Sequence, residues 1–192
     1  MSMKGPKILS LCDYTGNWSK PYRDAGYEVV QVDMQLDGRD VRLLQHEGHV
    51  HGILAAPPCT VFASSGARWA RSDADMCEGL SVVDACVRIA WAHRGTLRWW
   101  AIENPVGKLV RYLGKPKMYF NPCDFGDPYT KKTCLWGEFT IPTALLLGGD
   151  RRVPPVQGSK MHALYGGKSQ ATKNARSATP EGFARAFFEV NR

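Results

Sequence analysis

At 192 residues with a net charge of +7, the chain makes a single domain, residues 1–192, large enough to bury roughly two thirds of its unfolded surface without staples. The six cysteines, Cys12, Cys59, Cys77, Cys86, Cys123 and Cys134, have no framework spacing, and the opening Met-Ser-Met-Lys-Gly-Pro-Lys has no apolar signal-peptide region. No apolar run reaches the length of a membrane span, so a disulfide scaffold and a membrane partner are excluded, and a cytoplasmic protein with reduced thiols is expected.

Residues 7–12 read as a short strand, and Asp13-Tyr14-Thr15-Gly16-Asn17 as the turn after it. A helix follows, with Ser19 as cap, Pro21 in its first turn and Ala25-Gly26 as its stop. Residues 27–33 form a β-branched strand ending on Asp33, Asp40 opens a brief helical piece over 41–47, and 50–56 is a third strand running into Pro57-Pro58-Cys59. Between Asp73 and His93, Met76, Leu80, Val83, Val87 and Ala90 recur at intervals of three and four, which marks one buried helical face capped by Ser72. Residues 98–103 are a fourth strand, 118–121 and 133–136 are shorter β-like pieces, and 138–177 is an irregular basic segment. Thr179 caps a last helix that has Pro180 at its first position and carries Phe183, Phe187 and Phe188. Trp69, Trp91 and Trp136 are expected in core or loop packing.

Strand and helix alternate four times in the first 113 residues, the signature of parallel βαβ units, so an open, mostly parallel α/β sheet is expected. In such sheets ligands gather at the carboxyl ends of the strands. Asp13 to Trp18, Asp33, Cys59 and Glu103-Asn104 all fall there.

The charge is unevenly placed, with 11 basic and 12 acidic residues up to position 107 against 14 and 6 thereafter. From Arg151 to Arg176 there are six basic residues (Arg151, Arg152, Lys160, Lys168, Lys173 and Arg176) and no acid. Such a segment suits a polyanion, because each neutralised phosphate releases counterions. Arg151 and Arg152 are assigned to nucleic acid on this ground; a solvated basic loop is the plain alternative.

Three residues carry chemistry. Asp33 follows the first turn by about twenty residues, where doubly wound folds place an acid that accepts hydrogen bonds from a ribose, although the turn has the single glycine Gly16. The alternative is an acid that ends a strand in solvent. Cys59 follows two prolines that fix φ and remove donors, a setting that presents a thiol in one orientation and suits a nucleophile; the alternative is a small apolar filler. Glu103 ends the run Trp99-Trp100-Ala101-Ile102, where partial desolvation suits a carboxyl to hold or donate a proton; the alternative is an acid paired with a lysine or arginine.

Pro57-Pro58-Cys59 followed by Glu103-Asn104 on the next strand, after an Asp/Gly turn, resembles the DNA cytosine-5 methyltransferases. "FGDPYTKKTCLWG" (125–137) and "RSATPEGFARAFF" (176–188) are similar to their short phage-encoded members. The resemblance implies a Rossmann-like S-adenosylmethionine-dependent methyltransferase fold, working on DNA in the cytoplasm of a bacterial host. It implies that Cys59 adds to carbon 6 of cytosine, Glu103 assists at N3 and Asn104 braces the cysteine loop. It implies that S-adenosylmethionine is held by Asp13, Tyr14, Gly16, Asn17, Trp18, Asp33, Met34, Asp40, Val41 and Pro57. Thr130, Lys131 and Lys132 stand where the family contacts cytosine and phosphates. In place of a full target-recognition domain the chain has only residues 138–177, which leaves open relaxed specificity, single- rather than double-stranded DNA, a helper protein, or a free nucleotide as substrate.

A zinc deaminase would need Pro-Cys-x-x-Cys, and Pro58-Cys59 is followed by Thr60-Val61-Phe62. His46, His49 and His51 lack the H-E-x-x-H spacing and read as a surface loop rather than a metal site. Two rivals stand: a catalytically idle nucleic-acid binder or decoy, and an enzyme modifying a pyrimidine mononucleotide by the same chemistry.

Overall fold

The computed structural model describes residues 5–64, 70–143, 149–159 and 169–192. Trp69, Lys160 and Lys168 lie outside them. In chain order the elements are β1 (Lys7–Leu11), α1 (Lys20–Asp24), β2 (Glu28–Val32), α2 (Met34–Asp37), β3 (Gly52–Ala55), α3 (Asp73–Ala92), β4 (Trp99–Pro105), α4 (Val110–Leu113), β5 (Met118–Phe120), β6 (Thr133–Glu138), α5 (Gln170–Ser177) and α6 (Glu181–Val190), with single 3-10 turns at Val41–Leu43 and Pro122–Phe125.

The six strands form one mixed, mostly parallel sheet in the order β2-β1-β3-β4-β6-β5. β1 pairs in parallel with β2 on one side and β3 on the other, and β3 with β4. β6 enters antiparallel between β4 and β5. The chain steps outward from β1 to β2 and then crosses back to β3, which leaves a switch point at the carboxyl ends of β1 and β3, the ordinary place for a ligand in an open α/β sheet.

Strand periodicity divides the core. Ile8, Leu54 and Ala101 face α1 and α6 with Trp18, Tyr22, Phe183 and Phe187, while Leu9, Ile53 and Ile102 face α3 with Cys86, Ile89 and Ala90. Farther along that second face, Phe62, Val83, Leu109, Cys134 and Trp136 pack together. Phe183 and Phe187 are fully buried, and full burial of such a ring contributes about 2 kcal/mol. α3 is the best-marked helix: Ser72 and Asp75 form a reciprocal capping box, and Val83, Ala85, Cys86, Ile89 and Ala90 are buried. No helix among the described residues is long and apolar enough to cross a membrane.

Several expectations are corrected. Ser19 occupies the N-cap position of α1 as expected but its side chain makes no capping hydrogen bond, because its hydroxyl donates to the carboxylate of Asp13. Pro180, with extended φ and ψ, takes the cap position of α6, and Thr179 Oγ1 has no hydrogen bond. The segment 138–177 is not wholly irregular, since α5 begins at Gln170 with Ser169 accepting from the Thr172 amide. β4 runs past Glu103 to Pro105 because Asn104 and Pro105 pair with Cys134 and Thr133 of β6. The piece after Asp40 is a single 3-10 turn. Trp136 is core, but Trp91 is 67% exposed on α3 with the Arg94 guanidinium over its ring.

Candidate active site at the carboxyl edge of the sheet

The end of β1 is a tight turn. Cys12 has φ of 57°, the left-handed region that a side chain rarely adopts, and its amide donates to Val32 O at 2.8 Å. This reversal points Asp13 back under the turn, where its buried carboxylate accepts from Ser10 Oγ at 2.9 Å, Gly16 N at 3.0 Å and Ser19 Oγ at 3.2 Å. Gly16, at φ of 67°, closes the loop against the Gln31 side chain, whose amide donates to Asp13 O and Tyr14 O. Asn17 Nδ2 donates to Thr179 O at 3.4 Å, which ties the turn to the start of α6. Tyr14 is left exposed.

The end of β2 supplies Asp33, which caps α2 through Oδ1 and the Gln35 amide at 2.8 Å. Its Oδ2 accepts no hydrogen bond among the described residues. Burial raises the carboxyl above its ordinary value, opposed by the Gln35 hydrogen bond and aided by the nearby charges of Asp13 and Asp37. Met34, Leu36 and Leu43 lie exposed close by in the chain, at 60%, 47% and 75%. α5 reaches this end of the sheet too: Gln170 Nε2 and Asn174 Nδ2 both donate to Gln35 Oε1, at 2.9 and 3.1 Å.

Four residues assigned to the cofactor face elsewhere. Trp18 is fully buried against Phe183 and Phe187, with ring centroids 6.1 and 5.5 Å away, so its indole is core and offers no face to a ligand. Val41 is buried among Leu9, Ile53 and Ile89. The carboxylate of Asp40 is taken up by Arg42, whose amide, Nε and terminal nitrogen all donate to it and hold it below its ordinary pKa. Pro57 is buried, and its carbonyl is used within the protein.

That carbonyl accepts from Asn104 Nδ2 at 2.9 Å, so the side chain after Glu103 clamps the loop that carries Cys59. The same loop is stitched to the continuation of β4. Cys59 O accepts from the amides of Phe62 and Ala63, Ser64 N donates to Val106 O at 2.9 Å, and Lys108 N donates to Phe62 O at 2.8 Å. Gly107 allows this approach, because a Cβ there would collide with the Phe62 carbonyl.

Glu103 is 3% exposed, and its Oε1 lies 3.6 Å from Nζ of Lys131, itself 6% exposed. Oε1 makes no hydrogen bond, and neither does Oδ1 of Asn104. Lys131 Nζ also approaches Ser177 O, at the carboxyl end of α5, at 3.4 Å. The Cys59 thiol sits in the field of both: burial pushes its pKa up, Glu103 adds to that and Lys131 opposes it. Cys134, paired across the sheet with Asn104, is pushed to about 11 by burial and by Glu103. A partly buried thiol, a buried carboxyl with an unused acceptor and a buried ammonium therefore converge where the ends of β3 and β4 meet.

The basic residues assigned to nucleic acid are mostly spent internally. Lys131 is the buried partner of Glu103 rather than a phosphate contact. Thr130 donates through its amide and hydroxyl to Gly158 O. Arg151 is paired with Glu189 of α6 at 2.7 Å and Arg152 with Asp150 at 3.1 Å. Of the five, Lys132 alone is exposed without an ion pair, its ammonium 5.9 Å from the Tyr119 ring. His46 stacks on His93 at 4.3 Å, and Nε2 of the buried His93 accepts from Glu47 N.

Known protein-family models and curated proteins provide no match to this chain.

Proposed function

We propose that the protein transfers a methyl group from S-adenosylmethionine to carbon 5 of cytosine in DNA, through a covalent adduct on Cys59. The observation that carries this reading is the convergence of Cys59 with Glu103, whose buried Oε1 lacks a hydrogen bond. A buried acceptor without a donor is uncommon, and the amidine edge of a cytosine supplies the hydrogen-bonding group it lacks. Asn104, by gripping Pro57 O, holds the thiol and the carboxyl in one register.

The steps follow from these positions. Cys59 gives its proton to water as its sulfur bonds to carbon 6 of the ring. Glu103 brings a proton to this step and donates it to N3, where the displaced electron density is taken up, and carbon 5 acquires enamine character. The Lys131 ammonium favours the thiolate and keeps the buried Glu103 charge compensated. After carbon 5 takes the methyl group it gives its proton to water, the carbon 5–carbon 6 double bond re-forms as the Cys59 thiolate leaves, and N3 returns its proton to Glu103. Error in placement is expensive, since about 1 Å can cost roughly 100-fold in rate, and the proline pair with its Asn104 clamp meets that demand.

S-adenosylmethionine, when bound, supplies an electrophilic methyl group on a positively charged sulfur. The residues at the ends of β1 and β2 fit it in part. Asp33 Oδ2, which accepts no hydrogen bond among the described residues, would take ribose hydroxyls, exposed Met34 and Leu36 would offer apolar surface to adenine, and Tyr14, Gly16 and Asn17 would hold the methionine end. Trp18, Asp40, Val41 and the Pro57 carbonyl are already engaged in the fold, and the Asp13 carboxylate holds its own turn together.

The test is incubation of the purified protein with cytosine-containing single-stranded DNA and S-adenosylmethionine, followed by mass spectrometry of the nucleosides. Appearance of 5-methylcytosine, abolished in Cys59→Ser, is the expected result. Unchanged turnover in that variant would refute covalent catalysis.

A further inference from the structure

A second surface emerges once the pairing of cations is followed through the molecule. Arg39, Arg42, Arg151, Arg152 and Arg185 are each bridged to an aspartate or glutamate. The stretch after the Glu103-Asn104 strand end differs. Between Glu103 and Asp124 the chain holds Lys108, Arg111, Lys115 and Lys117 and no acid. Lys117 is occupied, donating to Phe139 O at 2.6 Å with its ammonium over the Phe139 ring. Lys108, Arg111 and Lys115 are exposed, and among the described residues no ion pair engages them or Lys132.

Aromatic rings stand among these cations. α4 turns Leu109, Val110 and Leu113 toward the cluster around Phe62, and leaves Tyr112 52% exposed beside Arg111. Tyr119, on the edge strand β5, is 47% exposed beneath Lys132. The face is continuous with the cysteine loop. Lys108 N is bonded to Phe62 O, the Phe62 and Tyr112 rings are 6.5 Å apart, and Phe62 lies three residues beyond Cys59.

We propose that the face formed by Lys108, Arg111, Tyr112, Lys115, Tyr119 and Lys132 is the track on which a single strand of DNA is held while one of its cytosines reaches Cys59; the role of Cys59 here rests on the reading above. Unpaired cations attract the phosphates and release their counterions. Exposed tyrosines stack unpaired bases, whose faces a duplex keeps hidden. α4 is a single turn, too short to read a major groove in the way a recognition helix does. A single strand also removes the cost of a few kcal/mol for flipping a base out of a duplex.

The experiment is fluorescence anisotropy of the full chain with a labelled single-stranded oligonucleotide and with its duplex, at several salt concentrations and without cofactor. The wild type binds the single strand more tightly. Combined Lys108→Ala, Arg111→Ala and Lys115→Ala lowers the slope of log affinity against log salt by about 2, from roughly 0.7 per phosphate contact. Tyr112→Ala and Tyr119→Ala each weaken binding about 5- to 100-fold, and the Phe variants restore it, which separates stacking from misfolding. An unchanged salt slope in the triple variant overturns the proposal, as does equal binding of the duplex with the tyrosines dispensable. Binding that depends on this face, with no methylated cytosine from any variant, therefore supports the track and refutes the chemistry, whereas methylation with an indifferent face does the reverse.

Discussion

Lys131, Glu103 and Cys59 form a charge relation that no single residue explains. Burial raises the thiol, the carboxylate raises it further and the ammonium lowers it. Removing the cation therefore disfavours the thiolate, and removing the carboxylate favours it. The pH midpoint of Cys59 alkylation by iodoacetamide, followed by peptide mass spectrometry, is expected to move up in Lys131→Met and down in Glu103→Gln. Shifts of the same sign in both variants would show that the two side chains do not act on the thiol as opposite charges. A thiol raised on folding also adds stability that is present below its unfolded value and lost as pH rises through its folded one, so alkaline conditions that speed alkylation also weaken the fold. The participants were legible in part: Cys59 and Glu103 stood out by neighbouring residues, while Lys131 reads as a phosphate contact next to Lys132. The two lysines precede β6, whose first four residues are all buried, so no alternation in the sequence separates the inward lysine from the outward one. Asp40 and Trp18 were misplaced for other reasons. The partners of Trp18, the phenylalanines of α6, are chosen by tertiary packing, which a motif does not specify, whereas Asp40 is taken up locally by Arg42, two residues on.

At the scale of elements, the site depends on the cysteine loop being sewn at both of its ends to one strand extension. Asn104 grips Pro57 O, and Gly107 lets the backbone at Phe62 come within reach of Lys108. Gly107→Ala forces that carbonyl away and moves the turn that begins at Cys59. Methyl transfer is expected to fall by about 100-fold, the scale of a 1 Å displacement, while the far-ultraviolet circular dichroism keeps its α/β form. A variant with wild-type turnover would mean that the strand extension does not position the thiol. The main strands and α3 are readable because β-branched runs, regular apolar spacing and the Ser72 cap agree with one another. α5 was not readable. Its residues are mostly polar, none is buried, and it is held by Gln35, 135 positions from Gln170, and by the contact of Lys131 with Ser177, 46 positions apart, contacts that exist only once the sheet has formed. The role of Ser19 shows the same limit, because a hydroxyl before a helix reads as a cap until a carboxylate such as Asp13 competes for it.

Across the whole molecule, the parallel strands β2, β1, β3 and β4 place Asp13, Asp33, Cys59 and Glu103 at one edge, and the antiparallel β6 returns Lys131 to it. The α/β alternation made that edge predictable from sequence; the order of the last two strands was not, since β5 and β6 are short and their pairing depends on long-range contact. Net charge told which half of the chain is basic but not which cations are free, because Arg151 finds in Glu189 an acid that only the fold supplies, and Arg152 is taken up by Asp150 two residues before it. The central claim is a covalent bond between Cys59 and a cytosine ring, and it is tested most directly with 5-fluorocytosine in single-stranded DNA plus S-adenosylmethionine. Fluorine at carbon 5 cannot leave as a proton, so the adduct should accumulate, survive denaturation and map by mass spectrometry to the Cys59 peptide. An absence of adduct with the wild-type protein, when the same strand is demonstrably bound, would contradict the account.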